Sequence, residues 1–514
     1  MRFFNTAGPC RPEDHYMLPA STRLPELRRL IDQKAYFVIH APRQVGKTTM
    51  MLQLAGELVA EGRFNAVVVT AEPGAAFPGD TGAAELAVLD GWRADAVLLP
   101  ADLQPPPWPQ AQPGARIRHA LQAWTLASPR PLAVFIDEID SLQDDVLLSF
   151  LRQLRAGYPQ RPKGFPWSLA LIGLRDVRDY KMKSGGSERL STASPFNIKV
   201  RSLTIGNFTA EEVSTLYHQH TAETGQVFTA DALQRAYELT QGQPYLVNAL
   251  AKVAVEELQP DATQPITRKG IEQAKEILIE RQETHLDSLV ERLREPRIRN
   301  IIEPILAGKS FADLPQDDLR FVADLGLVRQ TNGGGVVIAN PIYREVIPTM
   351  LAFVTRASLP QIAPTWLNPD GTLDPAKLLD AFLAFWRQHG QPLLKSVHYH
   401  EIAPHIVLMA FLHRVVNGGG SLEREYAIGT RRMDVLLTYG AARLAMELKV
   451  WRDGERDPLQ EGLAQLDQYL SGLGLETGWL VIFDQRGASA PISERTTTES
   501  ATTPSGRAVT VIRG

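Results

Sequence analysis

Two groups of residues in this chain have the types and spacing to do chemistry. The first is Ala41-Pro42-Arg43-Gln44-Val45-Gly46-Lys47-Thr48-Thr49, which follows an apolar run and leads into a helical stretch at 50–58. A strand, a tight loop and a helix start aim successive backbone N–H groups at an anion. The ending Gly46-Lys47-Thr48 is that of a phosphate-binding P-loop. Lys47 is expected to reach the β- and γ-phosphates of a triphosphate, and the Thr48 hydroxyl to hold Mg²⁺. One departure is Ala41, which stands where the pattern has glycine. Downstream, the apolar stretch LAVFIDEID at 132–140 ends in acids. Asp137 is expected in the shell of the same Mg²⁺, with Glu138 polarising the attacking water. The plainer alternative is a strand end feeding a capped helix, with Asp140 as the cap.

The second group lies near the C-terminus. Residues 423–428, 433–439 and 443–451 read as strands, and the last two flank Gly440-Ala441, a two-residue hairpin turn. That loop sets Asp434 opposite Glu447, and Lys449 shares the face of Glu447. The intervening Met433, Val435, Met446, Leu448 and Val450 are apolar and suit a core. A slip of one residue would exchange the two sets, so the pattern favours this register. Two carboxylates and a lysine on one face can form a divalent-cation site, with Asp434 and Glu447 holding Mg²⁺ or Mn²⁺ through hard oxygen contacts. Such an ion activates water and neutralises a scissile phosphate, and Lys449 would orient the water or stabilise developing charge. The bland alternative is a cross-strand salt bridge on a solvated face.

These groups need elements to position them, and the composition supplies enough chain. The 514 residues suggest about three domains, and 44% apolar content is ordinary for globular folds. The net charge of −4 advertises no global basic field, so any nucleic-acid surface must be local. Cys10 is the only cysteine, which excludes an internal disulfide and a cysteine zinc site and fits a reducing cytosol. The longest apolar run, 406–412, is too short to span a membrane, and the opening MRFFNTAGPC has no signal-peptide core. A cytoplasmic protein with no membrane segment is expected.

Along the chain, turn formers precede a helix at 24–32, and a strand is expected at 66–70. Residues 73–114 read as loop-rich, with QPPPWPQAQPG at 104–114 a stiff connector. A helix near 116–126 and strands at 168–173 and 199–205 follow. Residues 208–257 read as helical, and Thr209 with Glu212 fits a capping box. Gly242-Gln243-Pro244 falls within this region, where a plain helix–helix turn would also favour Gly and Pro. Residues 286–350 have the pattern of a winged helix, with short strands at 327–330 and 336–339. Its third helix, near 317–324, carries Asp317, Asp318 and Asp324 against Arg320, so phosphates would repel it. A structural or regulatory role is therefore expected for it. Arg292, Arg294, Arg297 and Arg299 are interrupted by Glu291 and Glu295 and read as a solvated face. Prolines 360, 364 and 369 mark a linker.

The P-loop, an intervening strand and the Asp137-Glu138 pair together resemble the additional-strand P-loop ATPases, which include the AAA+ proteins. Gly242-Gln243-Pro244 resembles the G-x-P lid signature of the Cdc6/ORC-like and STAND branches, which implies that Pro244 approaches bound ATP. The segment before the first strand often packs on adenine in such proteins, which makes His15 and Tyr16 candidates. Sensor positions would fall near Arg175, Asp176 and Arg178. An arginine finger could come from Arg175, Arg178, Arg189 or Arg201. RRMDVLL followed by MELKVW resembles the D…(D/E)-x-K core of the PD-(D/E)XK nuclease superfamily, although Met433 stands where a proline is usual. That resemblance implies a further acid, Glu401 on the helix before the strands or Glu425 on the first strand. It also implies a following helix with Gln465 and Tyr469, then a strand at 479–483. The whole order resembles bacterial AAA-like ATPases fused to a nuclease-like domain, through AGPCRPEDHYMLP, APRQVGKTT and VNGGGSLEREYAIGTRRMDVLL.

The expectation is an α/β chain. It has a P-loop AAA+-like core at 1–206, a helical lid at 207–285, a winged helix at 286–354 and a linker at 355–380. A PD-(D/E)XK-like α/β nuclease domain at 381–514 completes it. It would bind and hydrolyse ATP with Mg²⁺ and cut nucleic acid, DNA before RNA, under ATPase control. A homo-oligomer is compatible, because AAA+ relatives usually complete their site with a neighbour's arginine. The alternative is an ATP-dependent switch or scaffold whose nuclease-like domain only binds. A DNA-translocating motor ranks last, since no pore-loop or helicase motif is seen.

Overall fold

The computed structural model describes residues 2–174, 198–281, 292–306, 316–331, 335–358, 364–396, 402–416, 420–427, 432–487 and 489–514. The chain divides into two compact units, Met1–Leu278 with Asp324–Gly326, and Ile279–Ala323 with Leu327–Gly514.

The first unit is built on five parallel strands: β1 (Tyr36–His40), β2 (Asn65–Thr70), β3 (Leu132–Asp137), β4 (Ser168–Gly173) and β5 (Arg201–Thr204). Their order across the sheet is β2-β3-β4-β1-β5. Every strand reads as a continuous apolar run except the edge strand β5, as expected where helices cover both faces. Alternate residues enter separate cores. Tyr36, Val38, Val134, Ile136 and Leu171 join one, while Phe37, Ile39, Phe135, Ala170 and Ile172 join the other. The strand that lies between the two chemical motifs in sequence, β2, sits at the sheet edge. In space β4 separates β1 from β3.

Two short helices, α1 (Ala20–Arg23) and α2 (Glu26–Asp32), precede β1, and α3 (Lys47–Ala60) follows it. The expectation of a loop-rich 73–114 needs correction, because α4 (Thr81–Asp95) occupies much of it. Asp80 caps this helix by accepting from Ala83 N at 2.9 Å. Ala84, Val88 and Trp92 repeat every four residues on its buried face. The helix α5 (Arg116–Ala127) buries Trp124, whose indole N–H is satisfied by Leu103 O at 3.0 Å. Between β3 and β4 runs α6 (Asp144–Gly157).

After β5 come α7 (Ala210–Thr224), α8 (Ala230–Thr240), α9 (Pro244–Lys252) and α10 (Arg268–Arg281). The capping box of α7 is formed on both sides, with Glu212 N on Thr209 Oγ1 at 3.1 Å and Thr209 N on Glu212 Oε2 at 2.8 Å. Between α8 and α9, Gly242 has φ +70° and accepts from Phe208 N at 2.8 Å. A Cβ there would lie 1.8 Å from Phe208 O, so only glycine fits.

In the second unit, the helices Pro296–Leu306 and Gln316–Asp324 precede β6 (Val328–Gln330) and β7 (Val336–Ile338), which pair antiparallel. Arg297 pairs with Asp318 at 2.7 Å and Arg292 with Glu295 at 2.7 Å, so two of the four arginines of the basic cluster are ion-paired. The helix Pro375–Ser396 begins inside the stretch read as linker, since Asp374 caps it through Ala376 N at 2.9 Å. A six-stranded mixed sheet completes the unit, in the order β12-β13-β11-β10-β9-β8. Its strands are β8 (Gly420–Ala427), β9 (Arg432–Tyr439), β10 (Ala442–Trp451), β11 (Thr477–Asp484), β12 (Thr497–Thr502) and β13 (Ala508–Arg513). Leu463, Leu466 and Leu470 of the helix Leu459–Leu473 cover one face, against Leu436, Ala445, Leu480 and Ile482. The helices Ala403–Val416 and Pro375–Ser396 serve the other, where Trp386 meets Phe483 at 4.9 Å.

Gly242→Ala is expected to destabilise the first unit by about 2 kcal/mol or more, beyond an ordinary surface substitution, and so to lower its unfolding temperature. Thermal denaturation followed by circular dichroism checks this.

Candidate functional sites

The P-loop emerges from the C-terminal end of β1, the end at which parallel α/β sheets bind ligands. Its left-handed positions are Gln44, φ +58°, and Gly46, φ +88°. Ala41 is not one of them, so a methyl replaces the usual glycine hydrogen without backbone strain. Ala41 is buried and its N–H bonds Gly173 O at 3.3 Å. Gly46 is the N-cap of α3 and accepts from Met50 N at 3.0 Å. Lys47 Nζ donates to Ala41 O and Pro42 O, each at 2.8 Å.

Asp137 ends β3, two strands away from β1. Its Oδ2 accepts from Thr48 Oγ1 at 2.5 Å, and its Oδ1 from Glu138 N at 2.9 Å. Glu138 adopts φ +53°, a conformation that costs a non-glycine residue energy and concentrates at functional sites. Burial lowers the pKa of Lys47, opposed by Asp137, Glu138 and Asp140. Burial raises that of Glu138, reinforced by Asp137 and Asp140 and opposed by Lys47 and Arg43. Asp140 is not the cap of the following helix, because α6 starts at Asp144 with Gln143 as its N-cap, and Asp140 Oδ1 instead accepts from Leu174 N at 3.3 Å.

Beside the loop lies a cavity of about 460 Å³. Arg43 through Met50 and Glu138 line part of it. Its other walls come from the N-terminal segment, Phe208, Leu216 and α9 with Pro244, Tyr245 and Asn248. The N-terminal segment is stitched in place: Arg2 pairs with Glu223 at 3.0 Å, Phe4 packs on Tyr16 and Tyr217, and Cys10 N donates to Thr49 Oγ1 at 3.0 Å. Of the two candidates there, Tyr16 lines the cavity. His15 accepts from Arg11 N at 2.8 Å and anchors its loop. Arg201 ion-pairs with Glu26. Arg175, Asp176, Arg178 and Arg189 lie outside the described residues.

Sequence patterns missed Arg23. It lines the cavity, donates to Val45 O at 2.9 Å and Gly206 O at 2.5 Å, and lies 4.7 Å over the Phe208 ring. Its helix is four residues long and no motif marks it.

In the second unit the hairpin has the register expected from its turn, with Glu447 opposite Asp434 and Glu425 opposite Asp434 on the other side. The three acids thus occupy one rung across β8, β9 and β10. The side chains of Asp434 and Glu425 and the whole of Glu401 lie outside the described part of the structure. Val435, Met446 and Leu448 are buried as expected. The solvated face does not exist here, since Glu447 is 0% and Lys449 4% exposed beneath the helix Leu459–Leu473. Lys449 Nζ lies 3.2 Å from Glu447 Oε1 and 3.2 Å from Glu461 Oε1, and it donates to Gln465 Oε1. Gln465 therefore touches the lysine, whereas Tyr469 packs against the apolar cluster. Among the described residues no group of three or more His, Cys, Asp or Glu is arranged to hold a metal ion.

A smaller cavity of about 160 Å³ adjoins Lys449, lined also by His405, Arg452, Arg456, Glu455 and Glu461. His405, which sequence patterns also missed, has both ring nitrogens buried without a hydrogen-bond partner. Burial, then Arg452 and Lys449, push its pKa down to about 3.

A family model described as an AAA-like domain matches residues 121–347, less than half of the chain. No curated protein sequence matches it. Among solved structures, the Walker-type ATPase PABY2304 of Pyrococcus abyssi is similar at TM-score 0.48 and 13% identity, over 67% of this chain and 99% of that one. The RuvB Holliday junction branch migration motor of Thermotoga maritima gives TM-score 0.35 and 16% identity, over 64% of this chain and 93% of that one. The ORC1 protein of Aeropyrum pernix, in complex with DNA, gives 0.34 and 16%, over 66% and 95%. Likenesses this distant say nothing of what this chain binds or cuts. Residues 121–347 are similar to an AAA-like domain, and the parallel sheet, loop and paired acids of the first unit are consistent with an ATPase-like P-loop domain. No helix among the described residues is long and apolar enough to cross a membrane.

His405 yields a pH prediction. Unfolded, it titrates near its ordinary 6.5; folded, near 3. Between those values the unfolded chain holds the extra proton, so acidification through this window destabilises the fold by up to about 1.4 kcal/mol per pH unit. Above 6.5 the contribution is fully present. His405→Leu is therefore expected to lose unfolding temperature less steeply than wild type between pH 6.5 and roughly 4. Equal slopes in the two proteins would contradict the burial of a neutral ring.

Proposed function

We propose that the chain binds and hydrolyses ATP in the first unit and is a metal-dependent nuclease, acting on DNA, in the second. The single observation that carries the first half is the 2.5 Å hydrogen bond between Thr48 and Asp137. It sets two hard oxygen donors side by side next to the phosphate-binding loop, the donor chemistry that suits Mg²⁺. Bound there, the ion would neutralise phosphate charge. Lys47 and the backbone N–H groups of residues 43–49 hold the phosphates, Glu138 orients the attacking water, and Pro244 closes the lid at 207–285 over the nucleotide.

For the second half, support comes from the rung of Glu425, Asp434 and Glu447 with Lys449 two residues on. Asp434 and Glu447, with Glu401 or Glu425, would hold Mg²⁺ or Mn²⁺, which supplies Lewis-acid chemistry at a phosphodiester. Lys449 stabilises developing charge, and Gln465 holds Lys449. In this proposal 286–354 is a regulatory winged helix, 355–380 a linker and 381–514 the nuclease domain. The nucleotide state governs cutting, and a homo-oligomer is compatible with it.

A second reading has its own observation. Lys449 is already engaged by Glu447, Glu461 and Gln465 in a buried network, as a purely structural ion pair would be. The second unit would then bind nucleic acid or a partner without cutting, and ATP would drive a switch.

Cleavage of linear, circular and single-stranded DNA in Mg²⁺ or Mn²⁺, with and without ATP, separates these. Lys449→Ala is expected to lose cleavage by about 100-fold or more and keep ATP hydrolysis. Lys47→Ala is expected to lose ATP hydrolysis by a similar factor. Intact ATP hydrolysis with no cleavage of any substrate would favour the switch.

A further inference from the structure

The cavity beside the P-loop is not uniform. Beyond the loop its wall includes the large apolar and aromatic side chains Met17, Leu18, Phe208, Leu216 and Tyr245, with the polar Asn5, Thr6, Arg23 and Glu72 among them. A slot of that kind suits a flat heterocycle, and specificity then depends on the few polar groups set into it. Asn248 is such a group. It lies on α9, one helical turn beyond Pro244, and is 8% exposed.

The orientation of its carboxamide is determined. The nitrogen Nδ2 donates to Pro244 O at 2.8 Å. A backbone carbonyl only accepts, so the nitrogen must face it and the oxygen is the end left over. That oxygen, Oδ1, is buried with no hydrogen-bond partner. Buried acceptors are nearly always satisfied, and one that is not calls for a donor from outside the chain. Asn248 is one of the residues that line the cavity, so a ligand seated there can supply the donor.

We propose that Asn248 Oδ1 accepts a hydrogen bond from the exocyclic amine of adenine and so determines the base specificity of this site. The assignment rests on the nucleotide-binding role proposed above. Guanine and hypoxanthine carry a carbonyl oxygen where adenine carries its amine. Two acceptors would then face each other in a buried place, and neither could be satisfied. Ribose hydroxyls are the other donors of a nucleotide, and a deoxy analogue tells the two sources apart.

The test is equilibrium binding of ATP, inosine triphosphate and 2′-deoxy-ATP, each with Mg²⁺, to the full chain and to Asn248→Leu, which keeps the size and removes the acceptor. Wild type is expected to prefer ATP over inosine triphosphate by about tenfold or more. Asn248→Leu is expected to bring that ratio close to one by weakening ATP and 2′-deoxy-ATP in parallel without weakening inosine triphosphate. An unchanged ratio in the variant overturns the assignment, as does loss of discrimination against the deoxy analogue instead. If the variant does not fold, the wild-type comparison still decides, since equal binding of ATP and inosine triphosphate also overturns it. Failure of wild type to bind any nucleotide would strike at the ATP site itself, and is distinguishable because all three ligands fail together.

Discussion

The contact on which the first unit depends joins residues 89 positions apart, Thr48 and Asp137. The parallel order β2-β3-β4-β1-β5 brings the C-terminal ends of β1 and β3 to the same edge with β4 between them. That edge therefore gathers the helix start at Lys47 and the strand end at Asp137. Much else follows from it. Lys47 becomes half-buried beside three carboxylates, and Glu138 turns into a left-handed conformation as the chain leaves β3. Asp137 is held from both sides, by a hydroxyl and by the next backbone N–H. A carboxylate so held is pre-oriented, which limits the reorganisation needed when charge arrives.

The second unit is governed by a different constraint. Its sheet is covered on both faces, so the face bearing Glu447 and Lys449 could not remain in water. Charges taken into such a place need partners, and Lys449 finds Glu447, Glu461 and Gln465. Breaking one member of a network like this typically costs about 3–5 kcal/mol, while the intact pair is weak support for stability. The cavity next to it admits His405, whose neutral ring lies between apolar Phe483 and the cations Lys449 and Arg452. A polar pocket with a lysine held inside it is costly for the fold, and phosphodiester chemistry is one use that would justify retaining it.

The geometry of the proposed nucleotide site was legible in sequence because its residues are local. Gly46, Lys47 and Thr48 are adjacent, and the apolar run before Asp137 reads directly as a buried strand. The hairpin register was legible because a two-residue turn and a period of two leave one pairing. What escaped notice depends on tertiary placement. The loop-rich composition of 73–114 hid α4, whose proline-rich flank outweighed the four-residue repeat of Ala84, Val88 and Trp92. The burial of Glu447 could not be seen in its strand, since it comes from a helix that starts at Leu459. Arg23, Asn248 and His405 belong to no spacing rule. Each matters because of a cavity assembled from distant segments, and Asn248 stands out only once its carboxamide has been oriented by Pro244.

The most direct measurement of the central claim, that Thr48 and Asp137 form one Mg²⁺–nucleotide site, is calorimetric titration of ATP into the full chain with Mg²⁺ and with EDTA. It would be run on wild type and Asp137→Asn. Saturable binding by wild type is expected, weakened about tenfold or more by Asp137→Asn in Mg²⁺ and little changed by it in EDTA. No binding by wild type, or a loss on Asp137→Asn that is the same with and without the metal, would contradict it.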